Sequence, residues 1–153
     1  MSAERTIALV GCTKSKNDHQ MPAKELFSKS QLFQLTRLYI EKKGYDAWFI
    51  ASTLHGLLDP DTIIEPYDYV LTAKERDQWA QGIATDLQTF LSLKGWDPEN
   101  VRIDLFINYP SAQALVVALR DVFGDAIKID RPYAGRGRIG AIQGWLLEEV
   151  EAR

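Results

Sequence analysis

Residues 47–75 read AWFIASTLHGLLDPDTIIEPYDYVLTAKE, and three different segments follow one another in them. Ala47 to Ala51 is a short apolar run through Trp48, Phe49 and Ile50, which predicts a buried strand. Thr72-Ala73-Lys74-Glu75 is a capping box: the threonine accepts from the first helical amides and the glutamate reaches back, with Leu71 at the staple position. Between strand and cap lies a loop of roughly twenty residues, a length that usually means function or disorder. Leu57, Leu58, Ile63, Ile64 and Tyr67 are residues a chain prefers to bury, so a folded, functional loop is expected.

Strand followed by helix recurs outward from this stretch. Towards the amino terminus, Ile7 to Cys12 predicts a first strand and Thr13 to Ser30 a long polar loop. Ser30 then caps a helix that carries Leu32, Leu35 and Tyr39 on one face and ends at Gly44. Towards the carboxyl terminus, Trp79, Ile83, Leu87 and Phe90 share one face of the capped helix, which stops near Gly95. Ile103 to Ile107 predicts a third strand, Ser111 to Gly124 a helix, Ala126 to Ile129 a fourth strand, and Ile139 to Glu149 a terminal helix. The alternation predicts one α/β domain over residues 1–153. It should have three layers, α/β/α, around a central mainly parallel sheet of about four strands.

The bulk numbers narrow the class. A chain of 153 residues suffices for one real core, and 46% hydrophobic with 25% charged residues argues against both disorder and a membrane class. The start, Met1-Ser-Ala-Glu-Arg, has no apolar leader, so a cytoplasmic protein with no membrane partner is expected. One cysteine and two histidines leave no disulfide framework and no zinc site of the usual kind, and neither metal nor cofactor is expected. A net charge of -3 confines any nucleic-acid contact to a local basic patch. Oligomeric state stays open.

In an α/β sheet of this kind, ligands lie outside the carboxyl ends of the strands. The segments placed there are 13–30, 52–71, 108–111 and 131–140, which hold most of the unusual polar residues. Gly135-Arg136-Gly137-Arg138-Ile139-Gly140 matches GxGxxG, yet no strand follows it and an acidic partner about twenty residues on would fall beyond Arg153. A tight turn with Arg136 at an anion site is the better reading, and solvated arginines the plain one. Gly11 to Lys16 lacks the second glycine and the Gly-Lys-Ser/Thr ending of a phosphate loop. Lys14, Lys16 and Lys24 are candidates to hold an anion or supply an amine, against the alternative of solvated charges. Cys12 is either a small buried residue at a strand end or a nucleophile. His55 and Asp68 offer acid and base groups from one loop, and Tyr67 either stacks on a base or plugs the core. Asp59-Pro60-Asp61 reads as turn chemistry that brings those two ends together.

Taken together, the Gly-Cys-Thr-Lys-Ser-Lys opening, Pro22 to Phe27, His55 to Pro60, Glu65-Pro66-Tyr67-Asp68 and Pro132 to Gly140 resemble a family of small, largely uncharacterised bacterial and phage proteins, over nearly the whole chain. A more distant resemblance is to the catalytic domain of archaeosine synthase, which adds lysine to a deazaguanine nitrile in transfer RNA. There a Cys-Ser-x-Lys-like opening, a Ser-x-x-x-Gly-like stretch and a Tyr-Asp pair would correspond to Cys12 and Lys14, Ser52 to Gly56, and Tyr67 with Asp68. The opening departs from that pattern, and no RNA-binding domain accompanies it. Such domains are similar in architecture to uracil-DNA glycosylases.

These resemblances imply a site for a base, a nucleoside or a nucleic-acid end. The expectation is an enzyme of glycosidic-bond or base-modification chemistry acting on a small-molecule or nucleic-acid substrate. His55, Asp68 and Lys14 are the candidate catalytic residues. Cys12, Lys16, Lys24, Ser52, Tyr67, Tyr109, Arg131, Gly135 and Arg136 are the candidate substrate contacts. A non-catalytic nucleotide-binding module and an interaction protein remain the alternatives.

Overall fold

The computed structural model describes residues 4–13 and 16–152. Strand β1, Arg5–Gly11, is the central strand of its sheet, and the side chains of Ile7 to Val10 are buried on both faces. It is followed by a two-residue strand β2, Met21–Pro22, a one-turn helix α1, Ala23–Leu26, and helix α2, Gln31–Lys43. Next come β3, Ala47–Ser52, β4, Gly56–Leu58, β5, Ile63–Ile64, and helix α3, Ala73–Lys94. Strand β6, Val101–Phe106, helix α4, Ser111–Phe123, strand β7, Lys128–Asp130, and helix α5, Ile139–Glu151, complete the chain.

The main sheet has the order β4-β3-β1-β6-β7. β3, β1, β6 and β7 are parallel, and β4 runs antiparallel to β3 with Ser52 opposite Gly56. The period of two along β1 separates the core into two layers. Ile7 and Leu9 join Ile83, Leu87, Leu115 and Leu119 of α3 and α4 on one face. Ala8 and Val10 join Leu26, Phe33, Ile40 and Leu146 of α1, α2 and α5 on the other. This is the expected three-layer α/β/α architecture, with five strands in the sheet instead of four.

Local signals account for the helix ends. Ser30 Oγ accepts from Phe33 N, and Gly44 takes the left-handed conformation that closes α2. Thr72 and Glu75 cap one another at the start of α3, and Gly95 closes that helix. The expected polar loop over 13–30 departs from observation. It contains β2 and α1, and buries Ala23, Leu26 and Phe27 against the α2 layer. The additional strand arises within the long loop, where Gly56, at φ 70°, lets the chain reverse after Ser52 and pair back along β3. Gly56→Ala is expected to cost about 1–2 kcal/mol in denaturant titration, since a side chain is strained in that conformation. Among the described residues no helix is long and apolar enough to cross a membrane.

Candidate functional site

The chain passes from β1 to β3 on one side of the sheet and then crosses to β6 on the other, so the order reverses beside the carboxyl end of β1. Such a switch leaves a crevice between the outgoing loops. A cavity of about 200 Å³ opens there, walled by Phe33, Trp79, Phe106, Tyr109 and Tyr133 among others. A second hollow of about 220 Å³ adjoins it, lined by Lys16, Tyr67, Asp68 and Arg76 together with residues 69–71. Cys12, Thr13, Thr53 and Ser111 line both, so the two are halves of one groove, one aromatic and one charged.

Tyr67 organises the junction. Its hydroxyl lies 2.6 Å from Ser52 Oγ, and Ser52 Oγ accepts from His55 N at 3.0 Å. Cys12 Sγ lies 3.8 Å from Thr53 Oγ1, which donates to Tyr69 O at 2.7 Å. The Tyr67 ring is enclosed by the Lys16 ammonium, 5.3 Å from its centroid, and by the edges of Phe27 and His55 at 6.3 and 5.4 Å. Burial is the largest cause that pushes the Tyr67 phenol well above its ordinary range. The neighbouring Cys12 adds to it, while the Ser52 hydrogen bond acts in the opposite direction. Tyr67 therefore presents a neutral hydroxyl at physiological pH, and its enclosed ring is not a free stacking surface.

Tyr133, 7% exposed, closes the far end of the aromatic half, with its hydroxyl 2.6 Å from Thr36 Oγ1. Burial pushes this phenol up to about 12, against the Thr36 hydrogen bond. A raised phenol gives stability that is complete below the unfolded value near 10 and is lost as pH rises towards 12, because only the unfolded chain releases the proton in that window. The loss attributable to Tyr133 is ~2–3 kcal/mol. Denaturant titrations between pH 9 and 12 should show it, with a shallower decline in Tyr133→Phe.

The candidate residues separate into groups. Cys12, Lys16, Tyr67, Asp68 and Tyr109 line the groove. Lys14 lies outside the described residues. His55 is exposed and rests on the edge of Tyr67, outside the groove lining. Ser52 is fully buried, so its hydroxyl acts through Tyr67 and the His55 amide and cannot meet a ligand itself.

Lys24, Arg131, Gly135 and Arg136, expected as substrate contacts, are not among the residues that line the groove. The antiparallel β4 carries Asp59-Pro60-Asp61 back to the amino end of β3, where Lys24 Nζ pairs with Asp61 Oδ1 at 2.6 Å. Arg136 is drawn over the Trp145 ring, its guanidinium carbon 3.6 Å from the centroid, while Nε donates to Pro132 O at 2.6 Å. That stacking turns it into a separate depression of about 360 Å³ shared with Tyr39, Arg102 and Asp104 on the α2 and α5 side. Gly135, at φ 77°, serves the turn, and the Arg131 side chain is withdrawn, its Nε shut off from solvent.

Several residues of the groove escaped the sequence reading. Trp79 shares the core face of α3, and its indole also donates to Ser52 O at 2.8 Å and walls the aromatic half. Arg76, in the first turn of α3, lines the charged half. Its Nε is shut off from solvent and has no hydrogen-bond partner among the described residues, a situation that costs about 1–3 kcal/mol. The cue was its position four residues after the cap Thr72, on the helix end nearest the loop. Asp68 has no ion-pair or hydrogen-bond partner among the described residues. Among those residues no three of His, Cys, Asp and Glu gather as a metal site.

No curated protein and no solved structure matches the chain. A family model does match, over residues 7–145, and with nearly the whole fold and all of the groove inside that span, the chain belongs to DUF6884, a family of unknown function.

Proposed function

We propose that the protein is an enzyme acting on a nucleobase, nucleoside or nucleic-acid substrate, by glycosidic-bond or base-modification chemistry. The observation that carries this reading is the two-part groove. Its aromatic half suits a planar base, with the exposed Tyr109 as the stacking surface, and its charged half suits the polar remainder of a nucleoside. Thr13, Thr53 and Ser111, three hydroxyl-bearing residues, line both halves at the junction, where a sugar would sit. The resemblance of Cys12, Ser52 to Gly56 and the Tyr67-Asp68 pair to the archaeosine synthase catalytic domain supports the same substrate class.

Asp68 is the acid-base group of this scheme. In a hydrolytic reaction it would take a proton from water as the water oxygen bonds to the anomeric carbon, and the departing base would keep the bonding electrons and acquire a proton. Tyr67 orients the junction through Cys12 and Ser52. The test is incubation with nucleosides, nucleotides and short DNA and RNA oligonucleotides, read by mass spectrometry for released or altered bases. Full activity in both Asp68→Asn and His55→Asn would overturn the assignment.

The position of His55 outside the groove favours a second reading, a non-catalytic module for nucleotide or nucleic acid, since among the described residues it leaves Asp68 without a histidine beside it in the lining. A ligand bound tightly and recovered unchanged after long incubation would decide for that module.

A further inference from the structure

We infer that Arg76 is the phosphate receptor of the groove, so that its ligand is a nucleoside monophosphate unit, free or at the end of a strand, and not a bare base or nucleoside. The inference rests on the nucleobase reading of the aromatic half and adds what occupies the other half. Arg76 enters the site on a fixed support: its backbone N donates to Thr72 O at 3.2 Å, inside the reciprocal cap formed by Thr72 and Glu75. The side chain is partly withdrawn from water, with Nε sealed and without a hydrogen-bond partner among the described residues. No carboxylate lies within ion-pair distance among the described residues, although Asp68 lines the same hollow.

A guanidinium in that state carries an electrostatic deficit that an anion on its groove side offsets. Its terminal nitrogens present the parallel donors that match a phosphate. The Lys16 ammonium over the Tyr67 ring lines the same half and adds positive charge. With the phosphate at Arg76 and the base between Tyr109 and the aromatic wall, the sugar bridges at Thr53 and Ser111, which line both halves.

Calorimetric titration of the full chain tests this with four probes: inorganic phosphate, a set of nucleosides, the matching monophosphates, and single-stranded oligonucleotides with and without a terminal phosphate. Monophosphates should bind roughly 10- to 100-fold tighter than their nucleosides, the range of one charge-assisted contact, and phosphate should compete. Arg76→Gln should erase that ratio and Arg76→Lys should keep part of it, with circular dichroism confirming that both fold. Preference for the free monophosphate or for the phosphorylated strand identifies the source. Equal binding of nucleosides and monophosphates, or an unchanged ratio in Arg76→Gln, overturns the inference and leaves the nucleobase reading standing. Phosphate binding lost in Arg76→Gln, with no nucleoside or nucleotide bound in preference to phosphate, overturns the nucleobase reading and keeps the anion site. Absence of binding by all four probes overturns both.

Discussion

Asp68→Asn is expected to lower the rate of base release or modification about 10²- to 10⁴-fold, the usual contribution of a positioned acid or base. The substitution preserves shape and removes only the charge and the proton-accepting oxygen. Asp68 is exposed and has no partner among the described residues, so stability should stay within about 0.5 kcal/mol of the parent. A fall in kcat with KM nearly unchanged is the expected pattern in steady-state measurements. A rise in KM alone would place Asp68 in substrate binding and remove it from the chemistry. His55→Asn should cost less, since the ring touches the edge of Tyr67 and does not line the groove.

Phe106→Ala should lose about 3–5 kcal/mol of stability, the range for deleting a buried phenylalanine. Phe106 is 1% exposed, and Tyr39, Tyr45 and Tyr133 pack edge-on around it at 5.7, 6.1 and 5.8 Å between ring centroids. It also forms part of the aromatic cavity wall, so truncation enlarges the site while it weakens the layer beneath. A loss of this size is a large share of the ~5–15 kcal/mol that holds a typical domain. The midpoint of urea unfolding should fall with an unchanged slope. Leu93→Ala, at a side chain 82% exposed, is the control and should move the midpoint little.

Much of the fold was legible because its signals are local. The Thr72 cap, the Ser30 cap and the closing glycines Gly44, Gly95 and Gly124 each mark a helix end through a few neighbouring residues. Strand β4 was not legible: three residues without alternation become a strand only by pairing with β3. That one reversal also explains Lys24, which follows Pro60 and Asp61 to the opposite end of the sheet. Arg136 was misplaced for a different reason, since its direction is set by an indole nine positions later, on the helix its own loop opens. The site was legible as a set of loops and not as a set of side chains. Cys12, Lys16 and Tyr109 follow from lying within a few residues of a strand end, and Tyr67 and Asp68 from closing the long loop ahead of the Thr72 cap. Arg76 and Trp79 were hidden by belonging to a helix whose pattern was already explained by packing.

The two outermost strands carry a consequence for the behaviour of the protein in concentrated solution. β4 and β7 each offer three residues, and β4 is followed directly by Asp59 and Pro60, while β7 is bounded by Lys128 and Asp130. A long flat rim of unpaired amides is what templates the growth of ribbons between molecules, and charge, proline and brevity at the rim oppose it. The long β1 and β3 strands lie inside these margins, with neighbours on both sides. The apolar run of β1 is thus withheld from other copies by β3 and β6 on either side, while β4 covers β3 over Ile50, Ala51 and Ser52.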